Sequence, residues 1–166
     1  VSRPTIEATA MRIAISADHR GYNSVKLLCE KLTREGNQVE MLGDCANGSA
    51  DYPERAYLVG REVASGKAEA GILICGSGIG MSIAANKVQG VRAAVVHDEI
   101  TATLSRSHNN ANVLCLSADL LGQRLIETIV ETWLKTPFEG GRHQRRVRKI
   151  AAIEQGVDPA TIGDGD

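Results

Sequence analysis

Three glycines alternate in "CGSGIG" as Gly76, Gly78 and Gly80, directly behind Cys75 and around Ser77. Glycines at this spacing let the backbone approach a ligand closely, and they let several N–H groups converge on one anion, the more so where a helix begins. A cysteine beside such donors is favoured as the thiolate, which serves as a nucleophile or as a proton-transfer base near neutrality. The same residues also fit a plainer account: a tight strand-to-helix turn needing unusual dihedrals, closed by a cysteine that packs as a small apolar side chain. Three competing motifs are absent. A Walker loop ends in Gly-Lys-Ser/Thr, whereas Gly80 is followed by Met81, and neither "SADHRG" nor "CGSGIG" supplies GxGxxG after the first strand. A cysteine phosphatase loop would close on an arginine where Met81 stands.

Other polar residues fall beside predicted element ends. Asp18 and His19 follow the first apolar run, and His108 and Asn109 sit where a helix should stop. Such residues serve as caps or, when gathered in one crevice, as the acid and base of a proton-transfer site. In "GGRHQRRVRK", Arg142 and Arg146 are four apart, so on a helix they share a face and can grip one phosphate monoester. Alternatives are a solvated helix face and an RNA-binding module. Against RNA stand a near-neutral chain and the lack of an interleaved aromatic residue for stacking on a base.

The elements that must position these residues follow from hydrophobic periodicity. "MRIAISAD" supplies a strand ending near Ala17, and "YNSVKLLCEKLTREG" a helix with Val25, Leu28, Cys29 and Leu32 on one face. "QVEMLG" is a second short strand. "CANGSADYP" reads as loop on account of Gly, Asn, Asp and Pro53, with a helix from Glu54 to Gly66. "AGILIC" is apolar throughout its centre, as in a strand covered on both faces. "VRAAVVH" and "NVLCLSA" are further strands, while "DEITATLSRSHNN", "LGQRLIETIVETWLK" and "RHQRRVRKIAAIEQ" are helices. The alternation predicts a single three-layer α/β/α domain, Rossmann-like, on a five-stranded parallel sheet with right-handed crossovers. Ligands in such sheets lie beyond the carboxyl ends of the strands, which directs "SADH", "CGSG" and "VHDE" to one rim.

Bulk properties narrow the setting. With 166 residues, 43% of them hydrophobic, the chain has enough material for one ordinary core, and a formal charge of -1 provides no global field for nucleic acid. Cys29, Cys45, Cys75 and Cys115 are widely spaced, without the CxxC pairs of zinc or iron–sulfur centres, and read as reduced thiols in a cytosolic protein. No apolar run approaches the ~20 residues that span a membrane. Residues 1–10 read as a flexible lead-in or a remnant of expression, residues 11–155 as the domain, and the small, acidic residues 156–166 as a flexible tail.

Taken together and in order, "SADHRG", "DYP", "GILICGSGIGMSIAANK", "SRSHNNANVLCL" and "PFEGGRHQRRV" resemble the B-type ribose-5-phosphate isomerases, within the wider group that includes galactose-6-phosphate isomerase subunits. The resemblance runs from Met11 to about Glu154. It implies cofactor-independent interconversion of ribose 5-phosphate and ribulose 5-phosphate, without a metal, in a homodimer or dimer of dimers with active sites at the subunit interface. Cys75 becomes the base that moves a proton between C1 and C2. The backbone of Gly76, Gly78 and Gly80, with Ser77, stabilises the enediolate. Asp18 and Tyr52 hold sugar hydroxyls, His108 assists ring opening, and Asn109 bonds the reacting end. His19, Arg142 and Arg146 bind phosphate, some of them from across the interface. Some members use a glutamate at the position of Met81, which places this chain among the cysteine users. Many members carry arginine at the position of Asp119, so a phosphate contact is here exchanged for a carboxylate. Preference for a hexose 6-phosphate, such as allose or galactose 6-phosphate, is the nearest alternative, and an inactive dimer descended from the enzyme is another.

Overall fold

Apolar runs bounded by turn residues pair side by side in the computed structural model, which describes residues 10–45 and 51–163. The strands are β1 (Arg12–Ala17), β2 (Gln38–Met41), β3 (Ala70–Cys75), β4 (Ala93–Val95) and β5 (Val113–Ser117). They form one parallel sheet in the order β2-β1-β3-β5-β4. The helices are α1 (Tyr22–Arg34), α2 (Tyr52–Ala64), α3 (Ile79–Ala85), α4 (Glu99–Ser107), α5 (Gln123–Lys135) and α6 (Arg142–Glu154), followed by a 3-10 turn at Pro159–Thr161. This is the Rossmann-like three-layer α/β/α domain that the alternation predicts.

Side-chain alternation along the strands divides the core in two. Ile13 and Ile15 of β1, Ile72 and Ile74 of β3, and Leu114 and Leu116 of β5 face α1, α4 and α5, where Trp133 is buried. Their neighbours Ala14, Leu73, Cys75, Val113 and Cys115 face α2 and α3, packing against Val59, Met81 and Ala85. β3 lies at the centre of the sheet and is buried over its whole length, which explains why its sequence is apolar without a polar alternation.

Two element boundaries differ from the sequence expectation. α2 begins at Tyr52 rather than Glu54, because a proline fits the first helical turn, whose N–H groups have no intrahelical acceptor. β4 is shortened to three residues at the sheet edge. Of the loop before α2, residues 46–50 lie outside the described residues, as do residues 1–9 of the lead-in and 164–166 of the tail. Among the described residues no helix is long and apolar enough to cross a membrane.

Candidate active site

The carboxyl ends of the strands carry the first group of predicted residues. β3 ends on Cys75, which is 4% exposed, and its sulfur accepts a hydrogen bond from the Gly78 N–H at 3.2 Å. Gly78 turns the chain from strand to helix with φ at 76°, where a side chain would also crowd the backbone of Leu116. The Ser77 hydroxyl accepts from the Ile79 N–H at 3.2 Å. β5 braces the loop from beside it. The Ala118 N–H donates to the Cys75 carbonyl at 2.9 Å, the Ser117 hydroxyl to the Gly76 carbonyl at 2.6 Å, and the Asp119 N–H to the same carbonyl at 3.2 Å.

Gly80 has an ordinary backbone, and its lack of a side chain has a different cause. A Cβ there would stand 2.6 Å from the Tyr52 ring, so the glycine is what lets Tyr52, on the first turn of α2, lie against the loop. Asp18 follows β1, and its Oδ1 accepts from the N–H groups of Arg20 and Gly21 at 2.9 and 3.2 Å, fixing the turn that exposes His19. That turn is pressed onto the central strand, since a Cβ on Gly21 would stand 2.4 Å from the Ile74 carbonyl.

Sequence reasoning missed Arg20. Its Nε and Nη2 both donate to Asp119 Oδ1, at 2.9 and 2.7 Å, and the pair lies over Gly76. The hydrogen bond with Asp119, then its charge, holds the Arg20 pKa above the ordinary guanidinium value. The only sequence signal was adjacency to His19. Among the other thiols, burial pushes Cys29 up to about 11 and raises Cys115 as well, leaving both protonated near neutrality.

The second group is elsewhere. α4 starts at the carboxyl rim behind Asp98, which caps it, and its nine residues run back about 13 Å along the sheet. His108 and Asn109 therefore emerge at the amino end, close to the point where the Asn112 carbonyl accepts from the Gly71 N–H at the start of β3. The loop before α6 joins them there, the Glu139 N–H donating to the Ser107 carbonyl at 3.0 Å. The His108 ring stacks on that of His143 with centroids 4.1 Å apart. Arg142 and Arg146 are exposed on the first turns of α6 beside them. One chain thus gathers Asp18, His19, Tyr52, Cys75, Gly76, Ser77, Gly78 and Gly80 at its carboxyl rim, and His108, Asn109, Arg142 and Arg146 at the other end. It does not bring the two groups together.

Comparison with known proteins gives this geometry its lineage. Residues 13–150 match the family model described as ribose/galactose isomerase. The putative sugar phosphate isomerase YwlF of Bacillus subtilis is 45% identical over 148 residues, covering 87% of this chain and 98% of the relative. Ribose-5-phosphate isomerase B of Escherichia coli is 44% identical over 144 residues, with coverage of 87% and 97%. The solved structure of ribose-5-phosphate isomerase B from Clostridium thermocellum superposes with a TM-score of 0.86 at 46% identity, over 88% of this chain and 99% of that one. A match of this extent, in sequence and fold alike, makes this chain an isomerase belonging to the ribose/galactose isomerase family.

Proposed function

We propose that the chain interconverts ribose 5-phosphate and ribulose 5-phosphate, with Cys75 as the base. The observation that carries the reading is the Cys75 sulfur at the end of the central strand, receiving the Gly78 N–H and surrounded by the glycine loop. The named substrates of the Escherichia coli and Clostridium thermocellum relatives support it.

In the open-chain aldose the thiolate takes the proton from C2. The C2–H electron pair forms the C1=C2 double bond of an enediol, and the carbonyl π pair moves to O1. The O2 proton then passes to O1, and returning the first proton from the thiol to C1 restores a carbonyl at C2, so neither electrons nor protons are gained or lost overall. N–H groups of residues 76–80 stabilise the charge that develops on oxygen. In other enzymes one such donor is worth about 3 kcal/mol, a hundredfold or more in rate. Tyr52 and Asp18 hold sugar hydroxyls, and His19 binds phosphate at the same rim.

His108, Asn109, Arg142 and Arg146 serve the site of a second copy of the chain, where His108 moves the ring-opening proton and the arginines grip phosphate. The separation of the two groups within one chain supports this arrangement. So does an apolar surface on α3 and α4, where Ile83 is 59% and Ile100 72% exposed. Incubating the protein with ribose 5-phosphate and a chelator should yield ribulose 5-phosphate, and absence of conversion would overturn the proposal. The ratio of kcat/KM for pentose and hexose 6-phosphates then measures preference.

A further inference from the structure

His143 is 5% exposed, and its Nε2 has no hydrogen-bond partner. A buried ring nitrogen in that state is costly unless something completes it. The nearest group ahead of it is the Glu139 carboxylate, whose Oε2 is 3.7 Å away, and the same oxygen lies 4.0 Å from Nε2 of His108. Both separations are too long for hydrogen bonds. Among the described residues, His108, Glu139 and His143 form a cluster whose three donor atoms all lie within 4.8 Å of one another. Two imidazoles and one carboxylate are the donor set of zinc-type ions, and not of calcium or magnesium.

We propose that His108, Glu139 and His143 form a binding site for a divalent transition-metal ion of the zinc class. Zinc–nitrogen and zinc–oxygen bonds of about 2.0–2.2 Å require neighbouring donors roughly 3.3 Å apart, so the cluster has to contract by up to about 1.5 Å. The freedom for that exists on one side only. The lone pairs of the near-parallel stacked rings do not converge, so binding requires His108, 36% exposed, to swing out of its stack and Glu139, 59% exposed, to follow, while the buried His143 is the fixed member. Arg142 and Arg146 oppose a dication, so the affinity is below that of a structural zinc site. The functional consequence rests on the isomerase reading. A metal-bound His108 cannot move the ring-opening proton, and zinc is therefore a reversible inhibitor.

The test is titration of the chelator-treated full-length protein with cobalt(II), without substrate, read by visible ligand-field absorption. The expected result is one cobalt per chain, with no thiolate charge-transfer band. Glu139→Gln, at an exposed position and checked for unchanged circular dichroism, should weaken binding by more than about tenfold, the low end of what even an outer partner of a metal ligand costs. Absence of saturable absorption, a charge-transfer band that places the ion on sulfur, or affinity untouched by Glu139→Gln would each overturn the site. Zinc is then added to the turnover assay. Turnover that persists with metal bound would remove His108 from ring opening while leaving the site standing, and a protein without isomerase activity would leave the cobalt result unaffected.

Discussion

Exchanging the sulfur of Cys75 for oxygen tests its role with the smallest change in shape. Cys75→Ser keeps the contact with the Gly78 N–H but offers a hydroxyl that is not ionised near neutrality, so kcat for ribose 5-phosphate should fall about 10²–10⁴-fold, the usual worth of a positioned base. Steady-state kinetics with little change in KM would fit, and retained kcat would remove the thiol from proton transfer. The Arg20–Asp119 pair makes a different kind of prediction. Both side chains are about half exposed, so solvent screens their mutual attraction and it adds little to stability. Arg20→Ala, however, leaves an unneutralised carboxylate over Gly76 at the rim proposed to receive the anionic substrate. KM should rise with the melting temperature nearly unchanged, and Asp119→Ala in the same chain should bring KM back down. If the second change does not restore KM, the two residues do not act as a unit. The placing of the thiol and its glycines at the end of β3 was legible in the sequence because it depends on neighbouring residues alone. Arg20 was not, since its partner is 99 positions away and only the adjacency of β1, β3 and β5 brings them together.

At the scale of elements, the apolar runs sufficed to place every strand, and the boundaries that moved did so for local reasons. Pro53 was read as a breaker, although at the first turn of α2 it replaces an N–H that no helical carbonyl would accept. The turn from β1 to α1 is the tightest joint at the rim. Gly21→Ala would drive a methyl group to 2.4 Å from the Ile74 carbonyl, and the expected cost is about 1–3 kcal/mol, as for other overpacked sites. Urea unfolding measures it, and an unchanged midpoint would show that the turn can move away from β3. The start of α6 sets a pH dependence. Desolvation first, then His108, Arg142 and Arg146, hold the His143 pKa below its ordinary 6.5, with Glu139 pulling the other way. The unfolded chain therefore takes up this proton at a higher pH than the folded one. The contribution is complete above about pH 6.5 and is lost as pH falls from there toward the lowered folded value. Stability curves of wild type and His143→Asn should converge over that interval, and parallel curves would contradict it. The sequence showed His143 only as a spacer between arginines. Its ring stacks on His108, the residue just after α4 and 35 positions earlier in the chain (143 − 108).

For the whole molecule, the separation of rim residues from the His108 corner leads to a complementation experiment. Under the proposed arrangement of two copies, the Cys75→Ala and His108→Asn variants should each be inactive, one lacking the proposed base and the other the proposed ring-opening group. Unfolded together in equal amounts and refolded, half of the dimers are mixed, and each mixed dimer has one site with both groups. About a quarter of wild-type activity should return, as two-fold symmetry requires. No recovery would overturn the sharing of one site between two copies. The fold class needed only the alternation of strands and helices, and the motif order sufficed for the family. The separation of the two residue groups was not legible in the same way, because a list of residues in chain order does not say at which end of a helix each one emerges. It needed the direction of α4, which carries its last residues away from the rim on which it starts.

The alternating burial of β3 also makes the chemistry a matter of parity. Cys75 shares a face with Leu73, while Ile72 and Ile74 point through the sheet to the opposite layer. Inserting one residue into the strand would exchange the odd and even positions and turn the thiol toward α1, α4 and α5, away from the glycine loop. Inserting two would restore its orientation and displace it by roughly 6.6 Å along the strand. Lineages of this chain can therefore lengthen β3 only in even steps without inverting the site, a counting rule more restrictive than any limit on which apolar residues the strand contains.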